Sequence, residues 1–252
     1  MVYFETYSNG KISVHWEMAT YVLVHGSFHG GWCWKKLTPL LIRNGHNVYA
    51  PTLTGLGERS HLANRSIGLD THILDITQVL EYEDLHEVIL VGHSYGGMVI
   101  GGVTEKVPNR VERLVFLDAI IPQDNKSAFD LAPALETVYK ERALREEGKE
   151  WLVAPLKPDD FGVTDPDDIK WMSTRLSPMP RHTHDQPIRI TNVQARILHK
   201  SFICFSEFGH SQFKSLKSLE GWDYHELMRG HDAMITAPNE LVELFESLDV
   251  SD

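Results

Sequence analysis

The chain is poor in cysteine, in basic charge and in long apolar runs, and each shortage removes a class of protein. Only Cys33 and Cys204 occur among 252 residues, too few for a disulfide scaffold or a cysteine metal site. One follows a glycine-rich loop and the other sits inside a strand-like run, so both are expected as buried thiols. The 24 Lys and Arg are outnumbered by 35 Asp and Glu, for a net charge of −11. That balance argues against nucleic acid or an anionic membrane as partner. No apolar run approaches the roughly 20 residues of a membrane span, and the N-terminus lacks the basic, apolar, small-residue order of a secretion signal. The expected compartment is the cytoplasm. Internal repeats and low-complexity linkers are also missing, as are the G-x-G-x-x-G and P-loop patterns that cradle phosphates.

Strand-like and helix-like segments alternate along most of the length, the pattern of an α/β fold, and 252 residues suffice for one such domain with a well-buried core. The most informative stretch is Val88-Ile89-Leu90-Val91-Gly92-His93-Ser94-Tyr95-Gly96-Gly97. An apolar β-type run leads into a serine with glycines two residues to either side, and small apolar residues continue as a helix start. This reads as a nucleophile elbow: the backbone at the serine is strained, and glycines are needed where the chain doubles back. G-x-S-x-G alone would more often be a plain turn; the strand before it and the helix after it decide the reading.

A serine hydroxyl needs a base, an acid to orient that base, and donors for the oxyanion. The strand-like Thr20 to Val24 ends in His25-Gly26-Ser27-Phe28-His29-Gly30-Gly31, running into a helix-like Trp32 to Arg43. By position, the backbone N–H of Ser27 is one oxyanion donor, and the N–H of Tyr95, the residue after the nucleophile, is the other. The base is expected on the loop leaving the last strand. Residues 221 to 227 alternate like a strand, and Arg229-Gly230-His231-Asp232 follows before a helix at 238 to 248, which selects His231 from fourteen histidines. His25, His29 and His93 read as hydrogen-bonding supports for the loops that carry them.

These motifs, together with Ala50-Pro51-Thr52-Leu53-Thr54-Gly55 and Gly230-His231-Asp232-Ala233-Met234, resemble the α/β-hydrolase superfamily. They are similar to the branch holding plant methyl-salicylate-type esterases, hydroxynitrile lyases and bacterial esterases of like size. The resemblance begins near Met18. It implies a mostly parallel central sheet flanked by helices, in a single domain over 1–252, with a helical cap inserted after the family's sixth strand at about 122–196. Residues 1 to 17 carry a hairpin signal at Asn9-Gly10 and are either an added hairpin or non-native sequence.

The resemblance leaves two places for the catalytic acid. The usual one follows the family's seventh strand, here Ser201 to Phe205, where the nearby residue is Glu207 and no aspartate occurs. The other follows the sixth strand, here Arg113 to Leu117, which ends in Asp118. An ionisable residue closing an apolar run is costly without a partner, so Asp118 is preferred and Glu207 kept as the alternative.

The resulting expectation is a Ser94, His231, Asp118 esterase. It would work through an acyl-enzyme on a small-molecule ester or lactone, a bulky macrocyclic lactone included. No cofactor or metal is required, nucleic acid and membrane are not partners, and a homodimer stays open. One competing function is a hydroxynitrile lyase, whose family carries lysine after the histidine and glutamate before the serine. Asp232 and His93 stand there instead, and an anionic Asp232 would repel cyanide. The other is a non-catalytic binding module on the same fold.

Overall fold

The computed structural model describes residues 4–8, 11–15, 18–191, 199–206 and 211–248. β1 (Phe4–Ser8) and β2 (Lys11–His15) pair antiparallel with Ser8 opposite Lys11, the hairpin expected there. The central sheet has six strands, all parallel: β3 (Thr20–Val24), β4 (Asn47–Tyr49), β5 (Val88–His93), β6 (Val111–Leu117), β9 (His199–Phe205) and β10 (Trp222–Leu227), in the order β10-β9-β6-β5-β3-β4. A short antiparallel pair, β7 (Leu152–Val153) and β8 (Met179–Pro180), lies outside it.

Every residue of β5 is buried, as expected for an inner parallel strand covered by helices on both faces, where apolar residues run on without alternation. The helices that position the site are α1 (Thr38–Arg43), α2 (Leu69–Tyr82), α3 (Gly96–Lys106), α8 (Ala233–Thr236) and α9 (Pro238–Leu248). The helix expected over 32–43 is split. A 3₁₀ turn at Gly31–Trp34 precedes α1, because Pro39 has no N–H to bond back one turn and can sit only at a helix start.

Between β6 and β9 lie α4 (Ala128–Leu131), α5 (Pro133–Arg142), α6 (Pro166–Ser173) and α7 (His182–Asp185) with the β7/β8 pair. α5 stops at Arg142 because Ala143 leaves the helix to bridge Val153.

After β3 the chain adds β4 on one side and then returns to place β5 on the other. This reversal opens a crevice at the carboxyl ends of the strands, where α/β sheets bind ligands. β5 and β6 run in register with His93 opposite Leu117, so the residues that follow, Ser94 and Asp118, emerge side by side. Both cysteines are buried free thiols. Among the described residues no helix is long and apolar enough to cross a membrane.

Candidate active site

Ser94 sits at the turn from β5 into α3 with φ 55°, the left-handed region that costs a non-glycine residue energy and persists only where surroundings enforce it. The flanking glycines show how. A Cβ on Gly92 would stand 2.6 Å from the Gly96 carbonyl oxygen, and one on Gly96 would stand 2.7 Å from the Val24 carbonyl oxygen. The Ser94 N–H donates to Leu117 O at 3.1 Å, and its carbonyl accepts from Ile120 N at 3.0 Å. The elbow is thus pinned to the neighbouring strand end, with its side chain half-buried rather than enclosed.

Asp118 also has a left-handed backbone, φ 47°, and its N–H donates to Ile203 O at 2.8 Å. Its carboxylate, shielded from solvent, accepts the Phe205 N–H at Oδ1, 3.2 Å, and faces His231 Nδ1 from Oδ2 at 2.6 Å. A carboxylate opposite Nδ1 makes that nitrogen the proton-bearing one and leaves Nε2 as the lone-pair nitrogen. The alternative acid, Glu207, lies outside the described residues, as does His210. His225 stands within β10.

The three neighbouring histidines each bind backbone. His25 donates from Nδ1 to Gly26 O at 2.9 Å and accepts the Leu53 N–H at Nε2, 3.1 Å. His93 donates from Nε2 to His231 O at 2.9 Å. Burial lowers both to about 3, so both are neutral. His29 reaches Ser27 O from Nδ1 at 2.7 Å and Asp232 Oδ2 from Nε2 at 2.9 Å. Two acceptors call for hydrogens on both ring nitrogens. Burial opposes charging His29, yet the Asp232 carboxylate outweighs it and raises the imidazole above its ordinary value. Burial likewise opposes the Asp232 charge, and His29 nevertheless holds that carboxyl below the usual range.

The partnership of His29 and Asp232 corrects one expectation. Asp232 is turned away from the crevice and sealed in the protein, so it is not placed to repel an anionic leaving group. The short residue after His231 cannot reach outward once its carboxylate has a charged partner inside.

A pocket of about 310 Å³ opens over the elbow, with Ser94, His231, Ser27 and Tyr95 in its wall. Leu135, Tyr139 and Phe161 of the insertion between β6 and β9 line it, as do Val138, Leu156 and His184. A larger open groove of about 790 Å³ runs beside β4 and α2, but it contains none of Ser94, Asp118 or His231. Among the described residues no group of three His, Cys, Asp or Glu is arranged to hold a metal ion.

The chain is 34% identical over 242 residues to a carbendazim hydrolyzing esterase of Nocardioides sp. (strain SG-4G), covering 92% of this chain and 100% of that one. It is 39% identical over 140 residues to salicylic acid-binding protein 2 of Nicotiana tabacum, covering 55% of this chain and 51% of that protein. Among solved structures, an extracellular alpha/beta-hydrolase from a Paenibacillus species superposes with a TM-score of 0.78 at 24% identity, over 91% of this chain and 98% of that one. Tomato methylketone synthase I bound to 2-tridecanone gives 0.78 at 21%, over 93% and 99%. At these identities the structural likeness concerns the fold. The profile of the alpha/beta hydrolase family matches residues 21–244, spanning the sheet, the elbow and the histidine loop, and the chain belongs to that family.

Proposed function

We propose that this protein is a serine esterase that hydrolyses small uncharged esters. The observation that carries the reading is the 2.6 Å contact between Asp118 Oδ2 and His231 Nδ1, beside a pocket that His231 shares with the strained Ser94. With Nδ1–H held by Asp118, His231 Nε2 takes the Ser94 proton as the hydroxyl attacks the ester carbonyl, and Asp118 stabilises the imidazolium. His231 then returns the proton to the leaving alcohol, and water releases the acid from an acyl-enzyme by the reverse path.

The oxyanion is received by the N–H groups of Ser27 and Tyr95. Tyr95 is the N-terminal capping residue of α3, so its N–H lies at the positive end of an eleven-residue helix. The hydrogen bond from His25 to Gly26 O draws that carbonyl to one side of the Gly26–Ser27 peptide. A trans peptide must then aim the Ser27 N–H to the other.

Among the described residues the pocket wall contains no lysine or arginine, which favours neutral esters over carboxylate-bearing ones. The same lack weighs against cyanohydrin cleavage, since none of the described lining residues is a cation able to hold departing cyanide. A volume near the lower end for ligand sites favours a small ester over a macrocyclic lactone. The esterase relative that spans nearly the whole chain supports the same reaction class. The insertion of α4 to α7 acts as the cap that closes this pocket.

The test is hydrolysis of p-nitrophenyl acetate with purified protein. A stoichiometric burst of nitrophenol is expected, and Ser94→Ala should lower kcat by about six orders of magnitude if the three groups act as a unit. Activity of Ser94→Ala within tenfold of the parent sinks the serine mechanism.

A further inference from the structure

The roof of the pocket holds a second polar cluster that the hydrolytic reaction leaves unused. His184 is fully buried, clamped between Tyr95, whose ring lies 4.4 Å away and 18° from parallel, and Tyr139, 4.5 Å away. Its Nδ1 meets Thr183 Oγ1 at 2.9 Å, and that hydroxyl already donates its one hydrogen to Pro180 O at 2.7 Å. Thr183 Oγ1 can therefore only accept from Nδ1. Burial keeps the imidazole neutral, lowering it to about 3, so Nε2 is a bare lone pair.

Two hydroxyls converge on that lone pair, Ser27 Oγ and Tyr139 OH, each at 2.9 Å. One in-plane lone pair accepts one well-aligned donor. When Tyr139 takes it, the Ser27 hydrogen is free to turn to another acceptor. When Ser27 takes it, Tyr139 turns its hydrogen to Met179 Sδ, 3.8 Å away. Tyr139 and His184 are sealed, whereas Ser27 is half-buried and faces the pocket. Ser27 is thus the one member that can exchange partners with a bound molecule.

We infer that the Ser27 side chain is a specificity group for an uncharged hydrogen-bonding heteroatom on the acyl part of the substrate, one or two bonds beyond the scissile carbonyl carbon. This rests on the reading of the Ser27 N–H as an oxyanion donor. The N–H and the Oγ belong to one residue, so a carbonyl held by the first brings its α and β substituents beneath the second. A hydroxyl, a carbamate N–H or a ring nitrogen fits a site able both to donate and to accept. A carboxylate does not, because the neutral His184 and the other described lining residues, none of them lysine or arginine, offer it no counter-charge.

The test compares methyl mandelate with methyl phenylacetate, which differ only by the α-hydroxyl. Binding is measured by titration calorimetry on Ser94→Ala protein, so no turnover is needed. The better mandelate enantiomer should bind about five- to tenfold more tightly than the phenylacetate, the size of one neutral hydrogen bond. Adding Ser27→Ala should bring that ratio to about one, with thermal melts confirming the fold. Equal binding of the two esters to Ser94→Ala, a preference that survives Ser27→Ala, or no binding of either ester overturns the proposal. The kcat/KM ratio for the same pair, parent against Ser27→Ala, should follow the binding ratio. Failure of the parent to hydrolyse p-nitrophenyl acetate counts against the esterase reading alone, since the binding ratios decide this proposal without it.

Discussion

His29 Nε2 lies 2.9 Å from Asp232 Oδ2 with both side chains sealed from solvent, tying the loop after β3 to the residue that follows His231. Removing one partner of a buried pair leaves an uncompensated charge, typically costing about 3–5 kcal/mol. Asp232→Asn should therefore lower the melting temperature by roughly 10 °C for a chain of this size. His29 is raised, so its contribution is complete below an ordinary histidine value and is lost as pH climbs through the raised one. Asp232 is lowered, so its contribution is complete above an ordinary aspartate value and is lost as pH falls through the depressed one. The melting difference between parent and Asp232→Asn should be greatest between about pH 4.5 and 6.5. A difference that does not change from pH 4 to 9 would show that the pair is not ionised.

The acid can be tested against its alternative. Asp118→Asn keeps the shape but removes the charge that holds Nδ1–H, and by analogy with other triads should cost about 10⁴ in kcat. Glu207→Gln should change kcat less than tenfold. Parallel kinetics with circular dichroism decide between them, and the reverse ranking would move the acid to the far side of β9.

The acid side of the pH–rate profile should report one proton. His25, His93 and His184 are held down to about 3 by burial, and His72 to about 4. None of them charges in the range where a surface-accessible imidazole does. Log kcat/KM should therefore fall with unit slope on the acid side, because a single base serves Ser94. A slope approaching two above pH 5 would mean that a second histidine titrates with it.

Gly97 offers a packing test. A Cβ there would stand 2.2 Å from the Ile120 carbonyl oxygen and 2.9 Å from Ala119 Cβ, and Ile120 both lines the pocket and donates to Ser94 O. Gly97→Ala should cost about 1–3 kcal/mol in urea unfolding through overpacking and about a hundredfold in kcat through displacement of the elbow. Unchanged kinetics would show that the 119–120 segment yields without moving Ser94.

What could be read directly from the residues were the features governed by local rules. The Val88 to Val91 run followed by G-x-S-x-G requires a strand, a sharp turn and a helix because neighbouring atoms collide otherwise. Asp118 stood out because a charged group ending the apolar Leu114 to Leu117 demands a partner, and His231 because it follows the last strand-like alternation. Partner choice across long separations is not a local property. That Asp118 and His231, 113 residues apart, come within 2.6 Å depends on the strand order β10-β9-β6-β5-β3-β4, which no short motif encodes. The inward turn of Asp232 depended on finding a protonated His29 beside it, 203 residues away. The meeting of Ser27, Tyr139 and His184 came from packing the insertion between β6 and β9 against the loop after β3: Tyr139 and His184 look like ordinary helix positions until packing buries them beside Ser27, and only then does the need to satisfy each polar atom give the three a shared role.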